Sequence, residues 1–99
     1  MAVVMSMVWA GATPEQYDTV RAAVDWELVP AAGGHVHVAW FDAGALHVTD
    51  VWESQQAFET FMAERLAPEI EKAGIAGTPE VSYAPLHRRF VAPGVTGAA

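Results

Sequence analysis

The chain has 99 residues, a length that accommodates one domain with one hydrophobic core. Its formal charge of −7, with five basic residues in all, argues against nucleic acid as a partner; the lack of cysteine excludes disulfides, thiolate catalysis and Cys-bound metal centres. Over half of the residues are apolar and four are Trp, more than one small core needs, which points to a second buried surface in the form of a pocket or a subunit interface.

The apolar run from Ala2 to Trp9 lacks a basic leader and is too short to cross a bilayer. It reads as a first strand, buried on both faces, in a cytoplasmic protein. Thr13, Pro14 and Gln16 supply a capping hydroxyl, a first-turn proline and the partner of a capping box. Tyr17, Val20, Val24 and Leu28 then recur at helical spacing and predict the inner face of a first helix. Pro30 to Gly34 is a loop by composition. From His35 to Phe41, the set Val36, Val38 and Trp40 alternates with the set His35, His37, Ala39 and Phe41. Asp42, Ala43 and Gly44 turn the chain, and Ala45 to Glu53 returns as the other half of a hairpin.

Ser54 caps a second helix that carries Phe58, Phe61, Met62, Leu66, Ile70 and Ala73 on one face and ends at Gly74. Pro68 predicts a bend, because it removes an amide the helix would use. Thr78 and Pro79 precede a last strand from Glu80 to about Phe90, so the domain spans residues 1–91 and leaves 92–99 as a flexible tail. Strand, helix, hairpin, helix, strand is a βαββαβ order. It predicts an α+β domain with a four-stranded antiparallel sheet, strands one and three central, and two helices on one face. The other, apolar face then lacks a cover, which predicts a homodimer.

The residues suited to chemistry cluster on the hairpin. Histidine alone among the side chains titrates near neutral pH when unperturbed, and His35, His37 and His47 all lie there. Their arrangement depends on register. If Asp42 pairs with Ala45, His37 faces Asp50 and Trp40 faces His47, which gives a carboxylate that orients an imidazole as a general base. If Phe41 pairs with Ala45, His37 faces Thr49, and three imidazoles come within reach of one metal ion. Asp50 interrupts an apolar strand at a central position, where a carboxylate is costly unless paired or hydrogen-bonded. His87 closes the last strand as a second candidate for proton transfer. Trp40, Trp52 and Tyr83 are candidate walls of a pocket.

Asp50, Val51, Trp52, Glu53 and Ser54, followed by Ala57, Phe58 and Phe61, resemble the strand-to-helix passage of the antibiotic biosynthesis monooxygenase-like proteins of the dimeric α+β barrel superfamily. Arg65, Leu66, Pro68 and the ending Pro85, Leu86, His87 are similar to a subgroup of small bacterial proteins in that superfamily. The resemblance implies a ferredoxin-like fold, a homodimer formed face to face through the sheets, and a ligand cavity between sheet and helices in each subunit. It also implies a cofactor-independent monooxygenase, isomerase or cyclase acting on an aromatic or polyketide-like small molecule. His37, Asp50 and His87 would then supply acid-base chemistry without a metal or tightly bound cofactor. One departure concerns the second helix, where many of the oxygenases carry a histidine and this chain has Phe61 and Met62. The competing readings are a ligand-binding or structural dimer without turnover, and haem binding through His37 or His87.

Overall fold

In the computed structural model, which describes residues 1–99, the elements run β1 (Val3–Ala10), α1 (Pro14–Val24), β2 (Gly34–Asp42), β3 (Ala45–Trp52), α2 (Gln55–Phe61), a π turn (Met62–Leu66), α3 (Ala67–Ala73) and β4 (Glu80–Pro85). The strands form one antiparallel sheet in the order β2-β3-β1-β4. β1 and β3 are therefore central, as the pattern predicts. No helix is long and apolar enough to cross a membrane.

One sheet face carries the core. Met5, Met7 and Trp9 from β1 and Leu46, Val48 and Trp52 from β3 pack with Val20 and Val24 of α1 and Phe58 and Phe61 of α2. The alternation along β1 is strict: Ser6, Val8 and Ala10, between and beyond the buried residues, are exposed. The expectation of a strand buried on both faces thus fails for the single chain, because both helical arms lie on the same side. The opposite face remains apolar, with Val38 51% and Trp40 45% exposed and Trp40 stacked on His47 at 5.3 Å between ring centres.

The helix ends follow local chemistry. Thr13 accepts from the Gln16 amide while the Gln16 side chain accepts from the Thr13 amide, the reciprocal box that satisfies two orphan donors. α1 stops at Val24 because Asp25 adopts a left-handed conformation (φ 60°). Leu28 consequently leaves the predicted helical stripe and is 81% exposed. At Pro68 the sequence predicts a bend, and the structure places a π turn immediately before it, closed by the Ala67 amide on the Met62 carbonyl. A wider turn relieves the crowding between a proline ring and the carbonyl four residues back, so the arm continues to Gly74.

The last strand is shorter than predicted. Val3 pairs with Pro85, and the Leu86 amide reaches the Ala2 carbonyl at 2.9 Å. Past that point the first strand has run out, and residues 86–99 have no ladder to join.

The hairpin turn decides the register. Ala43 (φ 52°) and Gly44 (φ 75°) both have positive φ, which makes a two-residue turn of the kind whose twist matches paired strands. Asp42 pairs with Ala45, and every partner along β2 and β3 follows, with a bulge between Gly34 and Val36. An L-alanine in the left-handed region carries a strain of about 1 kcal/mol. Replacing Ala43 with Asn, which tolerates that region, is expected to raise stability by about 1 kcal/mol. The urea midpoint should rise with an unchanged slope, and a lower midpoint would contradict the turn geometry.

Candidate functional site

The register puts His37 directly opposite Asp50, on the sheet face that meets the helices. Alternate residues of a strand share a face, so Trp52 stands beside Asp50 as well. The Asp50 carboxylate, 5% exposed, is met on both oxygens: His37 Nδ1 lies 2.7 Å from Oδ1, and Trp52 Nε1–H donates to Oδ2 at 2.9 Å. An ionised carboxylate only accepts, so the Nδ1 atom carries a proton. In the neutral ring, Nε2 is then an acceptor, and the Tyr17 hydroxyl donates to it at 2.7 Å. The result is a continuous chain from phenol to imidazole to carboxylate to indole. No buried side-chain nitrogen or oxygen in the structure is left without a partner.

Tyr17 reaches the chain from the inner face of α1. Its pKa is pushed up to about 12, first because burial disfavours the phenolate. Arg21 opposes that rise, and the Asp50, Glu27 and Asp18 charges reinforce it. Tyr17 is therefore a phenol at neutral pH, able to donate to His37 and to accept at the same oxygen. Trp26 from the loop after α1 packs edge-on against both rings, 5.9 Å from Tyr17 and 5.2 Å from His37.

These groups form one end of a cavity of about 190 Å³ between sheet and helical arm. Its body is apolar, walled by residues such as Met5, Val48, Phe58, Met62, Leu66 and Ile70. The polar lining residues are Tyr17, His35, His37 and Asp50. Such a site holds an apolar ligand body and presents hydrogen-bonding groups at one place on it.

The structure brings together His37, Asp50 and Trp52 and separates the other candidates from them. Trp40 pairs with His47 on the far face of the sheet, because residues three apart on a strand point to opposite sides. Tyr83 does face the helices, 6.2 Å from Phe58, but it sits on edge strand β4 and lines a separate groove; burial, then the Glu59 charge, raises its pKa. His87 lies exposed beyond the end of β4, since the shortened strand does not carry it to the cavity. The trio of His35, His37 and His47 is not assembled either, because the adopted register sends His47 to the outer face. Tyr17 and Trp26 are the site residues that sequence reasoning missed. A phenol on an otherwise apolar helix stripe was the available signal, since a buried tyrosine hydroxyl requires a partner; Trp26 had none.

An amide at position 50 would change the proton inventory. In Asp50→Asn the carboxamide oxygen satisfies Trp52 Nε1–H and the NH₂ then faces His37 Nδ1, which must become an acceptor. The imidazole proton is expected to move to Nε2, with Tyr17 now accepting. Imidazole ¹⁵N chemical shifts report the tautomer directly, and an unchanged tautomer would refute the assigned network.

By sequence, the chain matches no family profile and no curated protein. Solved structures do match. SnoaB, a cofactor-independent oxygenase from Streptomyces nogalater, superimposes with a TM-score of 0.62 at 14% identity, over 89% of this chain and 94% of that one. A monooxygenase from the gene ActVA-Orf6 of Streptomyces coelicolor, in complex with nanaomycin D, gives 0.60 at 19% identity over 92% of each chain. A dimeric ferredoxin-like protein of unknown function from Thermobifida fusca gives 0.58 at 13% identity, over 87% and 92%. The chain has the ferredoxin-like α+β fold of these proteins, and its likeness to the antibiotic biosynthesis monooxygenase-like structures is a likeness of fold.

Proposed function

We propose that this protein binds an uncharged aromatic or polyketide-like molecule in the cavity and moves a proton on it. The observation that carries the reading is the Tyr17–His37–Asp50–Trp52 chain, which ends in an otherwise apolar chamber. A ligand hydroxyl or acidic C–H next to Tyr17 gives its proton to the phenol oxygen as the Tyr17 proton passes to His37 Nε2. Tyr17 stays neutral throughout, as its raised pKa demands. The imidazolium that forms keeps its Nδ1–H on the Asp50 carboxylate, where the positive charge is stabilised. Deprotonated substrate can then rearrange or cyclise without an oxidant, or give electrons to dioxygen. The fold shared with a cofactor-independent oxygenase supports the second route.

The rival reading is ligand binding without turnover, and one series of measurements separates them. Binding is followed by quenching of Trp fluorescence with 1-naphthol as probe, and turnover by dioxygen uptake and product masses over a set of uncharged hydroxylated aromatics. His37→Ala and Tyr17→Phe should lower turnover by about 10²–10⁴-fold while probe affinity changes by less than about tenfold. Equal turnover in wild type and variants, or none with any compound, would leave binding as the function.

The outer sheet face supports a homodimer, in line with the dimeric ferredoxin-like neighbour. Val4, Val8, Val36, Val38, Trp40 and Val51 make it apolar, and a single chain has nothing to cover it. Sedimentation at micromolar concentration is expected to give twice the chain mass, and Trp40→Glu to give a folded monomer, since an unpaired charge in the interface is costly. A wild-type monomer would overturn the arrangement.

A further inference from the structure

Arg65 leaves the π turn toward the loop between α1 and β2, where its guanidinium donates to three backbone carbonyls: Val29 at 2.7 Å, Val24 at 3.0 Å and Pro30 at 3.3 Å. Its Cζ lies 5.1 Å from the centre of the Phe61 ring on the same helical arm. A planar, permanently charged fork with five donors suits several acceptors on one segment. Arg65 itself does not line the cavity.

The segment it holds, residues 25–33, packs on the core only through Trp26 and Ala31, and its one other side-chain tie is the exposed Arg21–Glu27 ion pair at 3.2 Å. Glu27 to Pro30 are exposed, and Val29 presents 58% of its surface to solvent. The internal bonds are the Leu28 and Val29 amides on the Asp25 carbonyl, at 3.2 and 2.8 Å. Both ends sit in the left-handed region, Asp25 at φ 60° and Gly33 at φ 83°. At Gly33 a Cβ would meet Glu53 Oε2 at 2.7 Å and the Ala57 Cβ at 2.9 Å, and the Gly33 carbonyl accepts from the Glu53 amide at 2.8 Å. That end is pinned to the sheet. Between the ends, Trp26 and Ala31 reach the cavity, and Trp26 lies against the hydrogen-bonded Tyr17 and His37 rings.

We propose that residues 25–33 form a movable wall of the cavity, pivoting at Asp25 and Gly33, and that Arg65 is the latch that keeps it closed. A largely exposed segment opens at low cost when its polar ties are removed; Arg65 supplies two of those ties, to Val29 and Pro30, while its bond to the Val24 carbonyl at the end of α1 anchors the guanidinium beside the Asp25 pivot. Arg65 is then a positioning residue, acting on the site through Trp26. Because a guanidinium keeps its charge across the whole folded pH range, the latch responds to loss of the fork and not to pH. The purpose of the wall rests on the cavity being a ligand site; its motion does not.

The test is made first on the ligand-free protein. With 5-fluorotryptophan incorporated, the four Trp ¹⁹F resonances are assigned by single Trp→Phe replacements, and amide exchange is read at Leu28 and Val29. In Arg65→Ala the two amides should exchange about tenfold faster or more, and the Trp26 resonance should shift or broaden while those of Trp9 and Trp40 stay. Arg65→Lys keeps the charge without the fork and should show the same changes to a smaller degree. If Arg65→Ala fails to fold, Arg65→Lys decides, and a lysine variant that also unfolds counts against a latch. A folded variant with unchanged exchange and an unchanged Trp26 resonance overturns the proposal. With 1-naphthol, association and dissociation should both accelerate about tenfold in the variants. If the probe binds neither protein, the cavity reading is what fails, and the exchange data still decide the latch.

Discussion

A carboxylate in the middle of an apolar sheet face can remain there only if donors meet it, because stripping water from an unpaired charge costs on the order of several kcal/mol. Asp50 imposes that condition on the rest of the molecule. Trp52 meets one oxygen from two residues along the same strand, and His37 meets the other from across the hairpin. Any register that moved His37 to the outer face would leave Oδ1 without its donor. The two-residue turn at Ala43 and Gly44, the bulge that follows Gly34, and the position of α1, which brings Tyr17 to His37, are mutually consistent solutions to one requirement. A site assembled this way is constrained at its polar end, since moving His37 or Asp50 breaks two hydrogen bonds at once.

The two faces of the sheet serve different ends. Met5, Met7 and Trp9 bury against the helices, while Ser6 and Val8, between them on β1, and Val4 before them turn outward. Small domains bury a low fraction of their surface, and this one also holds a cavity where packing would otherwise add stability. An apolar outer face that gains a second cover would offset part of that loss. The chamber and the bare face thus bear on one balance in a short chain: packing left out on one side of the sheet would be offset by a cover on the other.

Much of the architecture could be read before the structure, and the reasons differ by element. The cap at Thr13 and Gln16 is visible because its two hydrogen bonds are local and need residue types at fixed spacing. The central placement of β1 and β3 follows from the order strand, helix, hairpin, helix, strand. The hairpin register stayed open between two choices because Asp42-Ala43-Gly44 suits either a two- or a three-residue loop, and Ala43 gives no sign that it will adopt positive φ. His37 and Asp50 were identifiable as a pair in one of those registers. The face of Trp40 depends on that same register, so its place on the outer side is not legible before the turn is known, and His87 falls off the sheet because β1 has no residue left to pair with it. Tyr17 was hidden in a helical stripe that reads as ordinary core. Its partner comes from a strand twenty residues on, a distance over which helical periodicity carries no information.

The π turn at Met62–Leu66 has a consequence for how such a cavity can change over generations. A π turn amounts to one residue inserted into an α-helix, and each residue of an α-helix advances by about 100°. Because the wider winding takes up the extra residue within one turn, deleting a single residue from that stretch would restore regular winding and leave α3 facing much as it does, with Ile70 still on the cavity wall. The change would be confined to the turn itself, which supplies Met62 and Leu66 to the lining. One codon gained or lost in this segment therefore reshapes a short piece of the chamber wall without turning the rest of the arm or touching the strands that hold Asp50 and His37.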